Sequence, residues 1–244
     1  MEKPMKKQKD EIRRAIWRIL EERGVARFPR PVYGRIPNFV GAEKAAARIL
    51  ELEEYRRAKV VKVSPDSPQR YIRYRCLLDG KLLIMPTPRL REGFLLLDPK
   101  KIPGERYQEA STIRGAFTYG EKVPIESLPS IDLIVTGSVA VTEGGVRLGK
   151  GGGYGELEYA ILSEFGKLRR DVPIATNVHD LQIVESLPRE PHDLTLDIIA
   201  TPTRLIRVRG EKQRPSGIIW DLLSPEKLDE IPLLRRMRGR GAFR

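Results

Sequence analysis

Apolar positions along the chain fall into short clusters whose spacing alternates between helical and strand-like. Ile12, Ala15, Ile16, Ile19 and Leu20 recur at the spacing of one helix face, and Gly24 stops that helix. Residues 28–37 hold three prolines and no period, which predicts an extended connector. A second helix is expected over 41–57, where Ala42, Ala45, Ala46 and Ile49 mark the faces. Residues 59–64 read as a buried strand. The runs 71–78 and 81–85 read as two more, with Asp79-Gly80 between them as a hairpin signal. Residues 93–97 form another short apolar run, and 131–141 is the clearest buried strand. A helix over 156–168 and strands near 172–176, 196–201 and 205–208 follow. Ser224-Pro225-Glu226 combines a capping hydroxyl, a proline at the first helical position and an acid in the first turn. Strands alternating with helices predict an α/β class with a largely parallel sheet, in one domain.

Composition narrows this picture. The chain has 244 residues, 40% hydrophobic and 32% charged. Apolar clusters recur along its whole length, so disorder is excluded. No run approaches the ~18 uncharged apolar residues of a membrane span. The first residues lead into a charged helix rather than an apolar signal core, so a cytoplasmic protein is expected. Cys76 is the single cysteine, which excludes an internal disulfide and a four-cysteine zinc site.

The net charge of +12 sits at the ends: ten basic and five acidic residues in 1–30, eleven and five in 203–244, leaving +1 between. Two readings follow. The basic termini contact nucleic acid, with Arg235, Arg236, Arg238 and Arg240 as the motivating run. Alternatively they are a solvated tail plus phosphate ligands for a small anion.

The chemistry concentrates in Gly149-Lys150-Gly151-Gly152-Gly153-Tyr154-Gly155, between a strand region and a helix. Glycines let backbone N–H groups approach an anion, and a helix N-terminus adds positive potential. Arg147 and Lys150 can supply countercharge. The P-loop pattern fails because Gly151 stands where its hydroxyl residue belongs. The dinucleotide fingerprint fails because its sixth position is Tyr154 or Glu156. His179 and His192 are too few for a zinc site. Cys76 reads as a small buried strand residue rather than a nucleophile. Arg89, in Pro86-Thr87-Pro88-Arg89, fits either a polyphosphate contact or a surface turn.

From Asp132 through Val146-Arg147-Leu148-Gly149-Lys150 to Tyr154, the chain resembles the signature of 5-formyltetrahydrofolate cyclo-ligases, in which a strand leads to R-L-G-[RK]-G-x-G-Y-Y-D. Gln182, Pro188, Glu190, His192-Asp193 and Asp197-Ile198-Ile199 resemble a second family segment, and Lys9 with Arg13 the N-terminal one. The resemblance implies a three-layer α/β/α fold with a mostly parallel central sheet, similar to the sugar-phosphate isomerase and CoA-transferase group. It implies ATP and Mg²⁺: ATP phosphorylates the formyl oxygen of 5-formyltetrahydrofolate, the neighbouring nitrogen attacks, and phosphate leaves to give 5,10-methenyltetrahydrofolate. It assigns Lys9, Arg13, Arg147, Gly149, Lys150, Gly151, Gly152, Gly153 and Tyr154 to ATP, with Lys150 and Tyr154 as catalytic residues and Glu156 as the magnesium contact. The second family tyrosine is replaced by Gly155, its aspartate by Glu156, and the acidic folate segment after the first strand is not evident in Ser64-Pro65-Asp66. The altered folate segment and Thr201-Pro202, where the family has threonine-glutamate, together with the 35–42 stretch and the basic tail, resemble a divergent, methenyltetrahydrofolate synthetase domain-containing branch. The expected organisation is a cyclo-ligase-like domain over 1–210, with a basic helix and tail over 211–244. A monomer acting on a folate or related small molecule is expected. The alternatives are an ATP-using relative acting on another metabolite, or a nucleic-acid-binding protein.

Overall fold

The computed structural model describes residues 4–210 and 212–239. Twelve strands are assigned among them. β1 (Ala26–Arg27) and β2 (Asn38–Phe39) form a small antiparallel ribbon. β3 (Val60–Val63), β4 (Leu82–Pro86), β5 (Phe94–Leu97), β6 (Glu121–Lys122) and β7 (Leu133–Val135) enter the main sheet. β8 (Ala140–Val141) and β9 (Arg147–Leu148) pair apart from it. β10 (Ile174–Asn177), β11 (Ile198–Ala200) and β12 (Leu205–Arg207) complete the main sheet, in the order β12-β11-β10-β7-β3-β4-β5-β6. The five central strands, from β11 to β4, run parallel. β12 and β5 pair antiparallel at the two sides, and β6 antiparallel to β5.

The helices are α1 (Pro4–Glu22), α2 (Ala42–Leu50), α3 (Glu53–Arg57), α4 (Arg70–Leu78), α5 (Tyr107–Ala110), α6 (Ile113–Tyr119), α7 (Tyr154–Glu164), α8 (Pro225–Glu230) and α9 (Pro232–Gly239). Alternation along the strands sorts them into two layers. Val61 and Val63 of β3 pack with Ala46, Ile49, Ile72 and Cys76 of α2 and α4. Val60 packs on the other face, with Leu157 and Ile161 of α7 and with Leu233, Leu234 and Met237 of α9. The architecture is therefore three-layer α/β/α with a mostly parallel sheet, as the resemblance implies. A third cluster seats Ile16, Trp17 and Leu20 of α1 against Val139, Ala140 and Leu148 of the β8–β9 ribbon. No helix among the described residues is long and apolar enough to cross a membrane.

Several elements differ from the sequence reading. Residues 71–78 are helix α4, not the first strand of a hairpin, and β4 runs parallel to β3. The buried positions Ile72, Arg73, Cys76 and Leu77 repeat at the helical spacing of four. Asp79-Gly80 terminates that helix, with Gly80 left-handed at φ 72°. Cys76 is accordingly a helix residue, still buried. The run 131–141 breaks after β7, and its second half joins β9 instead. The 41–57 helix divides into α2 and α3, and the next expected helix runs from Tyr154 only to Glu164, before Gly166 at φ 64°. Ser224 does cap α8, its hydroxyl accepting from the Lys227 N–H.

Candidate active site

β9 delivers the chain to the glycine-rich loop, and α7 carries it away. Gly153 caps α7 in the left-handed region at φ 65°, and Gly151 lies at φ 105°. These backbone values are strained for any residue with a Cβ, so the loop needs glycine at both. The loop faces the turns that leave the C-terminal ends of β3 and β4. Together they enclose a cleft of about 620 Å³ lined by Ser64–Ser67, Thr87–Arg89, Arg147, Lys150, Gly152–Glu156, Glu158 and the 34–36 connector. In open parallel sheets this is the edge at which ligands bind.

Each basic residue of the family motifs is held by an acid or a carbonyl. Arg147 is buried: its Nε and Nη2 donate to the Gly137 carbonyl at 2.9 and 2.7 Å, and its Nη1 pairs with Glu156 Oε1. That guanidinium passes so close to Gly155 that a Cβ there would lie 3.1 Å from Nη2. A side chain at 155 would require that guanidinium to give by a few tenths of an ångström. Lys150 donates to Asp66 Oδ1 at 3.1 Å and keeps 43% of its side chain exposed. Arg13 pairs with Asp10 and donates from Nε to the Gly149 carbonyl at 2.8 Å. Lys9 is buried, donating to Glu190 Oε2 at 2.8 Å and Asp193 Oδ2 at 2.6 Å. Ligand atoms of Glu190, His192 and Asp193 lie within 4.8 Å of one another, and the Lys9 ammonium rests on two of those three residues. Arg89 stands at φ 55° on the cleft rim with 62% of its side chain exposed.

Two titrating groups on α7 are pushed in opposite directions. Burial raises the Glu156 carboxyl, but Arg147, the residue's own backbone N–H, His192 and Lys9 together outweigh it and leave the group below its ordinary value. Burial also raises Glu158, and there Lys62 compensates only in part. Lys62, on β3, pairs with Glu158 beneath the cleft floor.

Sequence reasoning missed this pair, although a lysine inside the apolar 59–64 run was a visible signal. It also missed the contribution of α8. Lys227 donates to the Gly152 carbonyl and lies 3.8 Å from the Tyr154 ring centroid. Glu230 accepts the Tyr154 hydroxyl and pairs with Arg89. Burial and the Glu230 carboxylate push the Tyr154 phenol up to about 12. The sequence marks where α8 starts and gives no sign that it reaches the loop.

A family model described as the 5-formyltetrahydrofolate cyclo-ligase family matches residues 5–202. The chain belongs to the 5-formyltetrahydrofolate cyclo-ligase family. Among curated relatives, the methenyltetrahydrofolate synthase domain-containing protein of Bos taurus is 42% identical over 235 residues, covering 94% of this chain and 62% of that protein. The protein of the same description from Homo sapiens is 40% identical over 237 residues, covering 95% of this chain and 62% of its own length. The chain thus spans about three-fifths of these relatives. The 5-formyltetrahydrofolate cyclo-ligase of Mycolicibacterium smegmatis is 25% identical over 131 residues, 51% of this chain and 62% of that one. The NMR structure of Aquifex aeolicus 5,10-methenyltetrahydrofolate synthetase superposes with a TM-score of 0.52 at 22% identity, covering 83% of this chain and 94% of that one. That likeness bears on the fold alone. The cyclo-ligase family match ends at residue 202, so α8 and α9 lie outside it.

Proposed function

We propose that this chain is an ATP- and Mg²⁺-dependent cyclo-ligase that closes 5-formyltetrahydrofolate to 5,10-methenyltetrahydrofolate. The observation that carries the reading is the convergence of Arg147, Lys150 and the loop glycines on one cleft at the C-terminal edge of the sheet, in a member of that family.

The residues present fit a nucleotide. The 149–153 loop opens α7, an 11-residue helix, with left-handed glycines that turn backbone toward the cleft. Lys150 is the most exposed of the motif cations and the one best able to leave its acid for a phosphate oxygen. Arg147 is fixed to the Gly137 carbonyl and shapes the loop from behind. Glu156 stays ionised and lines the cleft, which suits the oxygen-preferring Mg²⁺. Bound ATP supplies the phosphoryl group that makes the formyl oxygen a leaving group. The chain's own task is to orient the two substrates and neutralise phosphate charge. Tyr154, with its phenol held up to about 12, serves as a hydrogen-bond donor and not as a base.

The test is calorimetric titration with Mg-ATP. Lys150→Ala should weaken binding by roughly 1.5–3 kcal/mol, the worth of one charge-assisted contact. Unchanged affinity in that variant would remove Lys150 from the site.

A further inference from the structure

The motif cations Lys9, Arg13, Arg147 and Lys150 all have acidic partners already. Lys227 differs from them. It lies on α8, past the stretch that the family model matches. Its side chain is half-buried, and it forms no ion pair among the described residues. The ammonium donates one proton to the Gly152 carbonyl and covers the Tyr154 ring. A Cβ built on Gly153 would lie 3.8 Å from Nζ, so the charge sits against the loop, in a smaller neighbouring pocket of about 110 Å³ that shares Gly153 and Glu156 with the cleft. Glu156 and Glu230 are the acids close enough to act on it through space, and burial still holds the group below its ordinary value. Half-burying a cation without an acidic partner is costly, and an anion would offset that cost.

Glu230 lies three residues further along the same helix. It accepts the Tyr154 hydroxyl and pairs with Arg89 Nη1 at 3.0 Å and Arg91 Nη2 at 3.4 Å. Arg89 lines the cleft. A carboxylate therefore rests on the cationic rim of the anion cradle.

We infer that Lys227 is a phosphate-binding residue of the nucleotide site, contributed by the segment beyond the family match, and that Glu230 is an internal anion that competes with the nucleotide's phosphates for Arg89. The inference rests on the nucleotide reading above. It places opposite effects on one helix: Lys227 assists the ligand and Glu230 opposes it.

The experiment titrates Mg-ATP into the full chain and its variants, alongside the melting temperature of each without ligand. Lys227→Met should weaken affinity about ten- to a hundredfold, Lys227→Arg should recover part of the loss, and Glu230→Gln should tighten binding. The inference is overturned if Lys227→Met binds Mg-ATP as the wild type does. It is also overturned if Lys227→Met and Glu230→Gln weaken binding together in step with their melting temperatures, as a purely structural clasp would. A wild-type protein that binds no Mg-ATP overturns the nucleotide reading itself and this inference with it, a result distinct from the other two.

Discussion

Arg147 and Glu156 show how one pair of residues shapes the loop and sets a local charge. The guanidinium is anchored by the Gly137 carbonyl and neutralised by Glu156, so its net contribution to the cleft is small. Because the Glu156 carboxyl is held below its reference of 4.5, it contributes stability that is present above about pH 4.5 and lost as pH falls through the lower folded value. Glu158 acts with the opposite sign: held above 4.5, its contribution is fully present below that value and lost as pH rises through the folded one. Glu156→Gln should therefore flatten the acid limb of the stability curve and leave the Glu158 limb in place. Urea midpoints between about pH 3 and 7 check this, and an acid limb of unchanged slope in the variant would contradict it.

At the scale of elements, the sequence was legible where one physical rule acted alone. The helix face of Ile12, Ile16 and Leu20, the capped start at Ser224 and the alternation of strands with helices all follow from periodicity or from cap chemistry. It was misleading where two rules share one residue pattern. Asp79-Gly80 serves a hairpin and a helix end equally well, because both call for a left-handed residue. Only the spacing of Ile72, Arg73, Cys76 and Leu77 separates the two, and the arginine at a buried position masks it. Arg73 is buried because its guanidinium donates to the carbonyls of Ser64, Asp66 and Ser111, partners that no local pattern announces. The 131–141 run breaks for a similar reason: past Thr136, the Gly137 and Ser138 carbonyls accept from the side chains of Arg147 and Gln182 rather than from a neighbouring strand. As the terminator of α4, Gly80 lies at φ 72° in open space, so Gly80→Ala should lose about 1–2 kcal/mol from backbone strain alone. Gly80→Asn, which tolerates that region better, should lose less. Equal stability of all three proteins by chemical denaturation would contradict a left-handed end to α4.

For the whole molecule, the sheet determines where chemistry can occur. Parallel strands β3 and β4 end beneath the glycine-rich loop, α1 brings Arg13 to the loop from one side, and α8 closes it from the other. The glycine loop and its flanking cations were legible because they are contiguous in sequence. Lys62, Asp66, Lys227 and Glu230 were not, because only the tertiary fold brings them to residues 147–158. On α9, Arg235, Arg236 and Arg238 are exposed while Leu233, Leu234 and Met237 are buried, so the basic run is the solvent face of a packed helix; Arg240 lies outside the described residues. The central claim is that this cleft performs the cyclo-ligase reaction, and one assay tests it most directly. Purified protein with Mg-ATP and 5-formyltetrahydrofolate should generate the absorbance of the methenyl product, with Lys150→Ala reducing the rate. Binding of ATP with no methenyl product over long incubation would contradict the account and leave an ATP-using relative with a different substrate.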